Sequence, residues 1–456
     1  LANNKIKSKT KTTEMNIQEI TSRLQLTLSP MQQATTAAFL ENQRNLIVLS
    51  PTGSGKTLAY QLPLTQTIKP ELSAVQAIVL VPGRELAIQS YEVFQSLHTG
   101  IKAYACHGGR SAMEEHREIR KICPQVIFAT PGRLLDHLNK QNIGNQSVRT
   151  LIIDEFDKCL QLGFQKEMND IIQLLPDNIR KVFLSATEPE ADDSVRFNTG
   201  DFRLLDFRQT VDQPSDRLQT FVVRSQNKDK LEALDTLLRD LNTHCSIVFL
   251  NYRDSVERTA DFLSSRHYSV AAYHGSLDQK AREETLYMFA NHSTNILVST
   301  DLGSRGLDIQ GVDNIIHYHL PETEDAYTHR IGRTARWNKS GRVFFLLGPD
   351  EQLPPYIQSA EEYHPTPTSV NPPLPLMETL YIGKGKKDKL SKGDILGFLC
   401  KIGKLSAKEI GRIDVYDYYS LVAVSREKAA MAIDNVAGKK IKGIKTIVTK
   451  KHSIIF

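Results

Sequence analysis

The 456 residues include only five cysteines and one tryptophan. Cys106, Cys123, Cys159, Cys245 and Cys400 are odd in number, scattered, and never paired as CxxC. That argues against a disulfide framework and a zinc site, and for reduced thiols in a cytoplasmic protein. No apolar run reaches the ~18 residues of a membrane span, so no membrane partner is expected. The first 14 residues are rich in Lys, Thr and Asn, with no apolar stretch behind them. They do not have the layout of a secretory signal and are expected to be a flexible, solvated tail. Leu1 in place of Met suggests a numbering that begins inside the gene product, or an unusual start.

Excess positive charge is missing from most of the chain. The net charge is +5, yet residues 377–456 hold 17 of the 57 basic and 8 of the 52 acidic residues, a local net of +9. The rest holds 40 basic and 44 acidic residues. A segment this basic usually meets phosphate, although a merely soluble surface would also carry such charge.

What is present is organised around SPTGSGKT: Ser50, Pro51, Thr52, Gly53, Ser54, Gly55, Lys56 and Thr57. It follows LIVL at 46–49 and precedes good helix formers. Strand, glycine loop and helix form the setting of a phosphate-binding loop. The glycines let backbone N–H groups point inward, and the helix adds its positive end. Lys56 is placed for the β- and γ-phosphates of ATP, and the Thr57 hydroxyl for Mg²⁺. The general form begins with Gly, where this chain has Ser50. A plain strand–helix turn is the bland alternative.

The length suggests about three domains at ~150 residues each. AIVLVP (77–82), QVIFATP (125–131), TLIIDE (150–155) and KVFLSAT (181–187) are apolar without alternation. Strands buried on both faces of a parallel sheet have that pattern. The alternation of strand and helix restarts after Pro214 with SIVFLN (246–251), SVAAYHG (269–275), NILVSTD (295–301), NIIHYHLP (314–321) and RVFFLLG (342–348). This second α/β domain lacks a glycine loop. The expected boundaries are 15–208 and 217–350, followed by a semi-extended linker at 351–376 containing seven prolines. The tail, 377–456, reads β-α-β-β-α-β, the ferredoxin-like order shared by RNA-recognition modules.

DEFD (154–157) ends the strand LII. Asp154 can hold Mg²⁺ through its waters, and Glu155 can orient or deprotonate the attacking water. HRIGRTAR (329–336) gathers Arg330, Arg333 and Arg336. Arg333 and Arg336 would share a helix face, and an anion between them would relieve their repulsion. A γ-phosphate approached from the second domain fits, as does a basic helix paired with local carboxylates.

Together these motifs resemble the DEAD-box RNA helicases over roughly residues 17–348, in the family's order and spacing. The resemblance implies two tandem RecA-like parallel-sheet P-loop helicase domains that close on ATP·Mg²⁺ and RNA, with an α+β, RRM-like (ferredoxin-like) tail. It implies RNA contacts from Pro82, Gly83 and Arg84 in PGRELA, from the Gly108-Gly109 pair, and from Thr130, Pro131, Gly132 and Arg133. In the second domain it implies RNA contacts from Gln279 and Arg282 of a QxxR motif, and from Thr300 and Asp301 of STDLGSRGLD. Asp308 would meet the ribose. Ser185 and Thr187 of SAT, with His329, would couple hydrolysis to unwinding. Lys56, Asp154, Glu155, Arg333 and Arg336 would carry catalysis, and Gln32 of SPMQ would read the adenine edge.

Several positions depart from the family pattern. Phe156 stands for the Ala of DEAD, Gly83 for a Thr, Ser50 for an Ala and Ala335 for a Gly. Gly83 removes a phosphate-contacting hydroxyl. No Gly-aromatic pair precedes SPMQ, and no aromatic appears before Phe39, which points to weaker adenine stacking.

The tail resembles the C-terminal domain of DbpA-type helicases through GKGKKDKLSKGDILG (383–397). That likeness implies ribosomal RNA as target, large-subunit assembly as setting, and contacts from Lys386, Lys387 and Lys389. Tyr416, Tyr418 and Tyr419 are candidates for base stacking, or for the core. The expectation is thus a monomeric RNA-dependent ATPase and helicase with a flexibly tethered RNA-binding tail and no DNA partner. The alternatives are an ATP-binding RNA clamp with little unwinding and a DNA-translocating P-loop motor.

Overall fold

The computed structural model describes residues 16–41, 44–51, 53–109, 111–188, 202–208, 218–242, 245–301, 312–334, 341–357, 359–368 and 371–451. The chain divides after Gln213 into two compact units. Among the described residues of the first, seven strands form one sheet: β1 (Asn45–Leu49), β2 (Ala77–Leu80), β3 (Ala103–Cys106), β4 (Val126–Ala129), β5 (Thr150–Ile153), β6 (Arg180–Ser185) and β7 (Phe202–Asp206). Their order is β3-β4-β2-β5-β6-β1-β7, and every neighbouring pair is parallel. Helices cover both faces, so successive side chains of a strand enter two different cores. In β2, Ala77 and Val79 join Leu62 and Phe94, whereas Ile78 and Leu80 join Leu134 and Phe156. This is why the strands read as unbroken apolar runs.

The second unit repeats the plan with β8 (Leu218–Arg224), β9 (Ser246–Leu250), β10 (Val270–Tyr273), β11 (Ile296–Thr300), β12 (Asn314–His317), β13 (Gly341–Leu347) and β14 (Glu361–Glu362). The order is β10-β11-β9-β12-β13-β8-β14, again parallel throughout. The tail adds an antiparallel sheet of β15 (Met377–Ile382), β16 (Ile410–Val415), β17 (Ser420–Ser425) and β20 (Val448–Lys450). Its order, β16-β17-β15-β20, is the ferredoxin-like arrangement expected from the element sequence. Helices Lys392–Lys401 and Arg426–Val436 cover one face through Ile395, Phe398, Ala429 and Ala432. A small hairpin, β18 (Lys440–Ile441) and β19 (Ile444–Lys445), precedes β20.

The other face of the tail sheet is occupied too. Tyr381, Tyr416, Tyr419 and buried Leu421 pack on Tyr287 and Met288 of helix Gln279–Ala290 in the second helicase domain. Tyr416 and Tyr419 stack with centroids 4.6 Å apart, and Lys280 Nζ lies 5.3 Å from the Tyr419 ring centre. Tyr287 Oη donates to Arg412 O at 2.5 Å, and Lys451 pairs with buried Glu284 at 2.7 Å. The proline-rich segment is also anchored. β14 extends the second sheet, and Tyr363 packs on Phe221 and Phe344 while its Oη donates to Asp240.

The expectation of a flexible tether is therefore corrected. Tyr363 and the tyrosine-lined sheet face provide apolar area that a solvated linker and a free module would leave wet. Tyr416 and Tyr419 are likewise taken up in docking. Of the three candidate stacking tyrosines, Tyr418 is the one left open, at 65% exposed. Leu421→Asp puts a carboxylate into this dry patch and is expected to cost at least ~2 kcal/mol of docking. Amide hydrogen exchange should accelerate at residues 287–293 while the tail's own helices stay protected. Unchanged exchange there would contradict the docking.

Candidate active site

A parallel sheet sends every strand's C-terminal end to the same edge, and the motifs follow that edge in register. The phosphate loop leaves β1, Pro82 to Arg84 leave β2, and Gly108-Gly109 leave β3. Thr130 to Arg133 leave β4, Asp154 and Glu155 leave β5, and Ser185 and Thr187 lie at the end of β6. The ladder continues into the loops. Ser50 N donates to Ser185 O at 3.0 Å, Asp154 N to Leu80 O at 2.9 Å, and Thr130 N to Cys106 O at 3.2 Å.

In the phosphate loop Gly53 and Gly55 have φ of 82° and 87°, the left-handed region. Gly55 caps helix Lys56–Thr67, which Thr57 continues. Lys56 Nζ donates to the carbonyls of Ser50 at 2.7 Å and Pro51 at 3.0 Å, so the ammonium is held over the loop. Ser50 Oγ meets Ser54 Oγ at 2.7 Å, a contact the usual Ala could not make. Buried Gln32 donates from Nε2 to Gly55 O at 3.1 Å and accepts from Ser29 N at 2.9 Å. Gln32 thus fastens the loop itself. A Cβ on Gly55 would fall 2.5 Å from Gln32 Nε2, so the site excludes larger residues twice over.

Asp154 is buried and Glu155 beside it adopts φ 51°, ψ 51°, left-handed for a non-glycine residue. Such strain needs support from its surroundings. Part of it comes from Glu155 N donating to Asp154 Oδ1 at 3.0 Å, and from helix Phe156–Gln161 starting there. Phe156 is the side chain that replaces Ala in the family pattern. It is buried and stacks on Phe183 of β6 at 4.7 Å and 9°. The larger residue fills core volume and leaves the carboxylates untouched. Thr187 Oγ1 donates to Asp157 Oδ2 at 3.2 Å, and Ser185 Oγ to Thr187 O at 2.6 Å. SAT and DEFD are therefore in direct contact, a link no spacing argument revealed.

Nearby, Gly83 precedes helix Arg84–Ser96, and a Cβ there would meet only Glu85 Oε2, at 3.8 Å. The space beside the backbone therefore admits a Cβ at this position. Thr130 precedes helix Pro131–Asn139, with Pro131 in its first turn and the Gly132 and Arg133 amides at its positive end.

In the second unit, helix Gln279–Ala290 is capped by Asp278, which accepts from Ala281 N at 2.7 Å. Gln279 donates to Glu283 at 2.9 Å, and Arg282 lies over Tyr273. Thr300 is buried at the end of β11. The three arginines expected together separate by role. Arg330 is buried and donates to Asp301 at 2.5 and 2.7 Å, to His319 O at 2.7 Å and to Asn251 at 2.8 Å. Asp301's carboxylate thus serves this network, a structural duty beside the RNA contact expected of it. Helix Glu324–Ile331 carries His329 and ends before Arg333, which lies in the following turn, so Arg333 is not on the helix face considered from its spacing. Thr52, Asp308, Ala335 and Arg336 lie outside the described residues.

In the tail, the turn Lys386–Asp388 is braced by Lys386 N to Tyr416 O at 2.7 Å and Lys387 N to Asp417 O at 2.9 Å. Lys387 Nζ sits 4.1 Å from the Tyr418 ring centre. Lys389 follows at φ 60°. Cation and exposed aromatic ring form one surface.

Burial, then the charge of Glu155, pushes the Asp154 carboxyl up to about 7, against the pull of Lys56. In metal- and nucleotide-free protein the folded state then keeps a proton that the unfolded chain releases near pH 4. The resulting stabilisation is present at low pH and is lost as pH rises to about 7. Chemical denaturation of wild-type and Asp154→Asn protein should diverge over that window, the wild type losing stability relative to the variant. Parallel profiles would contradict the assignment.

The descriptions "DEAD/DEAH box helicase", "Helicase conserved C-terminal domain" and "DbpA RNA binding domain" match residues 29–194, 229–338 and 379–450. The chain is 34% identical to the ATP-dependent RNA helicase DbpA of Escherichia coli (strain K12), covering 92% of this chain and 93% of that one. It is 36% identical to the DEAD-box ATP-dependent RNA helicase RhpA of Helicobacter pylori (strain ATCC 700392 / 26695), over 71% of this chain and 65% of the relative. Among solved structures it resembles S. cerevisiae Dbp5 bound to RNA and ADP BeF3, with TM-score 0.66, 26% identity, and 73% and 87% of the two chains covered. The strand-end motifs, the three matched domains and the near-full-length likeness agree: the chain belongs to the DEAD-box ATP-dependent RNA helicases of the DbpA type, which are RNA-dependent ATPases.

Proposed function

We propose that the protein unwinds ribosomal RNA locally during large-subunit assembly, as a cytoplasmic monomer targeted by its tail. The observation that carries this reading is the tail itself: a match to the DbpA RNA binding domain holding a net charge of +9, with Lys387 and exposed Tyr418 on one surface. Phosphate contacts from Lys386, Lys387 and Lys389 would position the module, and stacking on Tyr418 would favour unpaired bases.

In this reading Lys56 leaves the Ser50 and Pro51 carbonyls for the phosphates of ATP. Glu155, aimed by its left-handed backbone, orients the attacking water and takes its proton. Arg333 and Arg336 meet the γ-phosphate when the two helicase domains close, and supply charge as it is transferred. Asp154 and Thr57 present oxygen donors, and a buried carboxylate pushed up to about 7 is an acceptor that a hard dication stabilises. Mg²⁺, when bound, neutralises phosphate charge. RNA would be gripped by Pro82, Gly83, Arg84, Gly109 and residues 130–133 on one side, and by Gln279, Arg282, Thr300 and Asp301 on the other. The Asp157–Thr187 bond supplies a path from the carboxylates to SAT, whose Ser185 and Thr187, with His329, would couple turnover to strand separation.

Two tests address the two levels. Lys56→Ala should weaken nucleotide binding. Glu155→Gln should bind ATP within about threefold of wild type yet lose at least ~10²-fold in RNA-stimulated turnover, because only the water-activating carboxylate is neutralised. Near-normal turnover in Glu155→Gln would refute its role. For the target, crosslinking to cellular RNA followed by sequencing should enrich large-subunit ribosomal RNA. Replacing Lys386, Lys387 and Lys389 by Gln should lower the yield and flatten the salt dependence of binding. Crosslinks spread in proportion to RNA abundance, unchanged by the triple substitution, would refute the tail's targeting role.

A further inference from the structure

Helix Ala112–Ile122 is largely a solvated, charged helix, yet one of its carboxylates turns inward. Glu115 is 1% exposed, unlike its neighbours Glu114 and Glu118. Its Oε1 accepts from the backbone N of His107 at 3.1 Å. Its Oε2 accepts from His137 Nε2 at 3.0 Å and faces Arg133 Nε at 3.5 Å. Asn142 Nδ2 donates to His137 Nδ1 at 3.2 Å, which leaves the ring proton on Nε2, pointed at Glu115. One buried carboxylate thus accepts from the loop that follows β3 and from the helix that follows β4.

Both segments belong to the surface assigned to RNA. His107 immediately precedes Gly108-Gly109, and its own Nδ1 contacts Gly108 O at 2.8 Å. Arg133 is the last residue of the Thr130–Arg133 stretch. A third segment is tied in by close approach: a Cβ on Gly108 would lie 2.9 Å from Arg84 Nη2, so the Arg84 guanidinium rests on that glycine. A shift of the His107–Gly109 loop moves the floor beneath Arg84.

We propose that Glu115 is a positioning residue for RNA, a buried clamp that sets the separation of the phosphate-contacting loops after β3 and β4 and, through Gly108, the pose of Arg84. The inference rests on the RNA roles assigned above to Arg84, Gly109 and Arg133. The physical reason is the cost of disturbing a buried carboxylate with several donors. Its neutral isostere keeps the shape but turns an N–H group either toward the His107 amide or toward His137 and Arg133, donor against donor. The two loops then part, and a phosphate chain spanning them loses simultaneous contact. The nucleotide loop leaves β1, a different strand, so ATP binding is spared.

The test is steady-state ATPase of the full chain at varied single-stranded RNA and varied ATP. Glu115→Gln is expected to raise the RNA concentration for half-maximal stimulation about tenfold. The turnover at saturating RNA and the KM for ATP should stay within about twofold. Amide exchange at 107–109 and 130–133 should quicken. If Glu115→Gln does not fold, Glu115→Asp keeps the charge and withdraws it by one methylene, with the same direction expected. An unchanged RNA requirement in a folded variant overturns the clamp, as does a matched loss in RNA, ATP and turnover, which marks general damage. Arg84→Ala and Arg133→Ala separate the two levels. If they leave RNA affinity intact, the RNA surface itself is misassigned. If they weaken it and Glu115→Gln does not, only the clamp is wrong.

Discussion

The parallel sheet is the constraint on which the rest of the molecule depends. Because every strand of the first sheet points the same way, each crossover delivers its motif to the same edge. Six strand ends in the first helicase domain carry the phosphate loop, the carboxylates, SAT and the segments assigned to RNA. Both faces of the sheet are buried, so its position is set by two cores rather than one, and the edge can hold strained backbone. Gly55 at φ 87° and Glu155 at φ 51° are supported in this way. The second domain uses the same logic without a glycine loop. Its edge offers QxxR, Thr300 and the turn of Arg333, while buried Arg330 stitches β9, β11 and β12 together through Asn251, Asp301 and His319.

Much of this was legible in the residues. Unbroken apolar runs identified buried parallel strands, because in a two-sided sheet no position faces water. The motif order identified the chemistry. Two strands of the first sheet escaped: AYAC at β3 is short and half alanine, and FRLLD at β7 is an edge strand left partly wet. Side-chain partners also escaped. Helical spacing puts Glu115, four before Ile119, on the apolar face, yet nothing in EEHREIRK names the partners it finds there, and nothing in HRIGRTAR separates the locked Arg330 from Arg333. Both come from tertiary contacts between segments far apart in sequence.

The departures from the family pattern have local physical answers. Phe156 stacks on Phe183, so a larger core residue is matched by an aromatic partner on the next strand. Ser50 binds Ser54 within the loop. Gln32, whose upstream aromatic is missing, is held against Gly55 and keeps a role in the loop's shape. The tail departs from the expected picture of a tethered module. Its tyrosines and Leu421 close over the helix that begins with Gln279 and Arg282, which gives this domain and the tail a shared core. RNA held by the lysine-rich turn would then sit at a fixed place relative to QxxR, and loading would not depend on a linker's search.

Turnover at the phosphate loop is expected to answer to RNA gripped at the same sheet edge. The most direct measurement compares ATP turnover of the full chain with single-stranded RNA and with DNA of the same sequence, at equal concentration and ionic strength. Strong stimulation by RNA and turnover near the basal rate with DNA are expected. Equal stimulation by both, or by neither, would contradict that coupling.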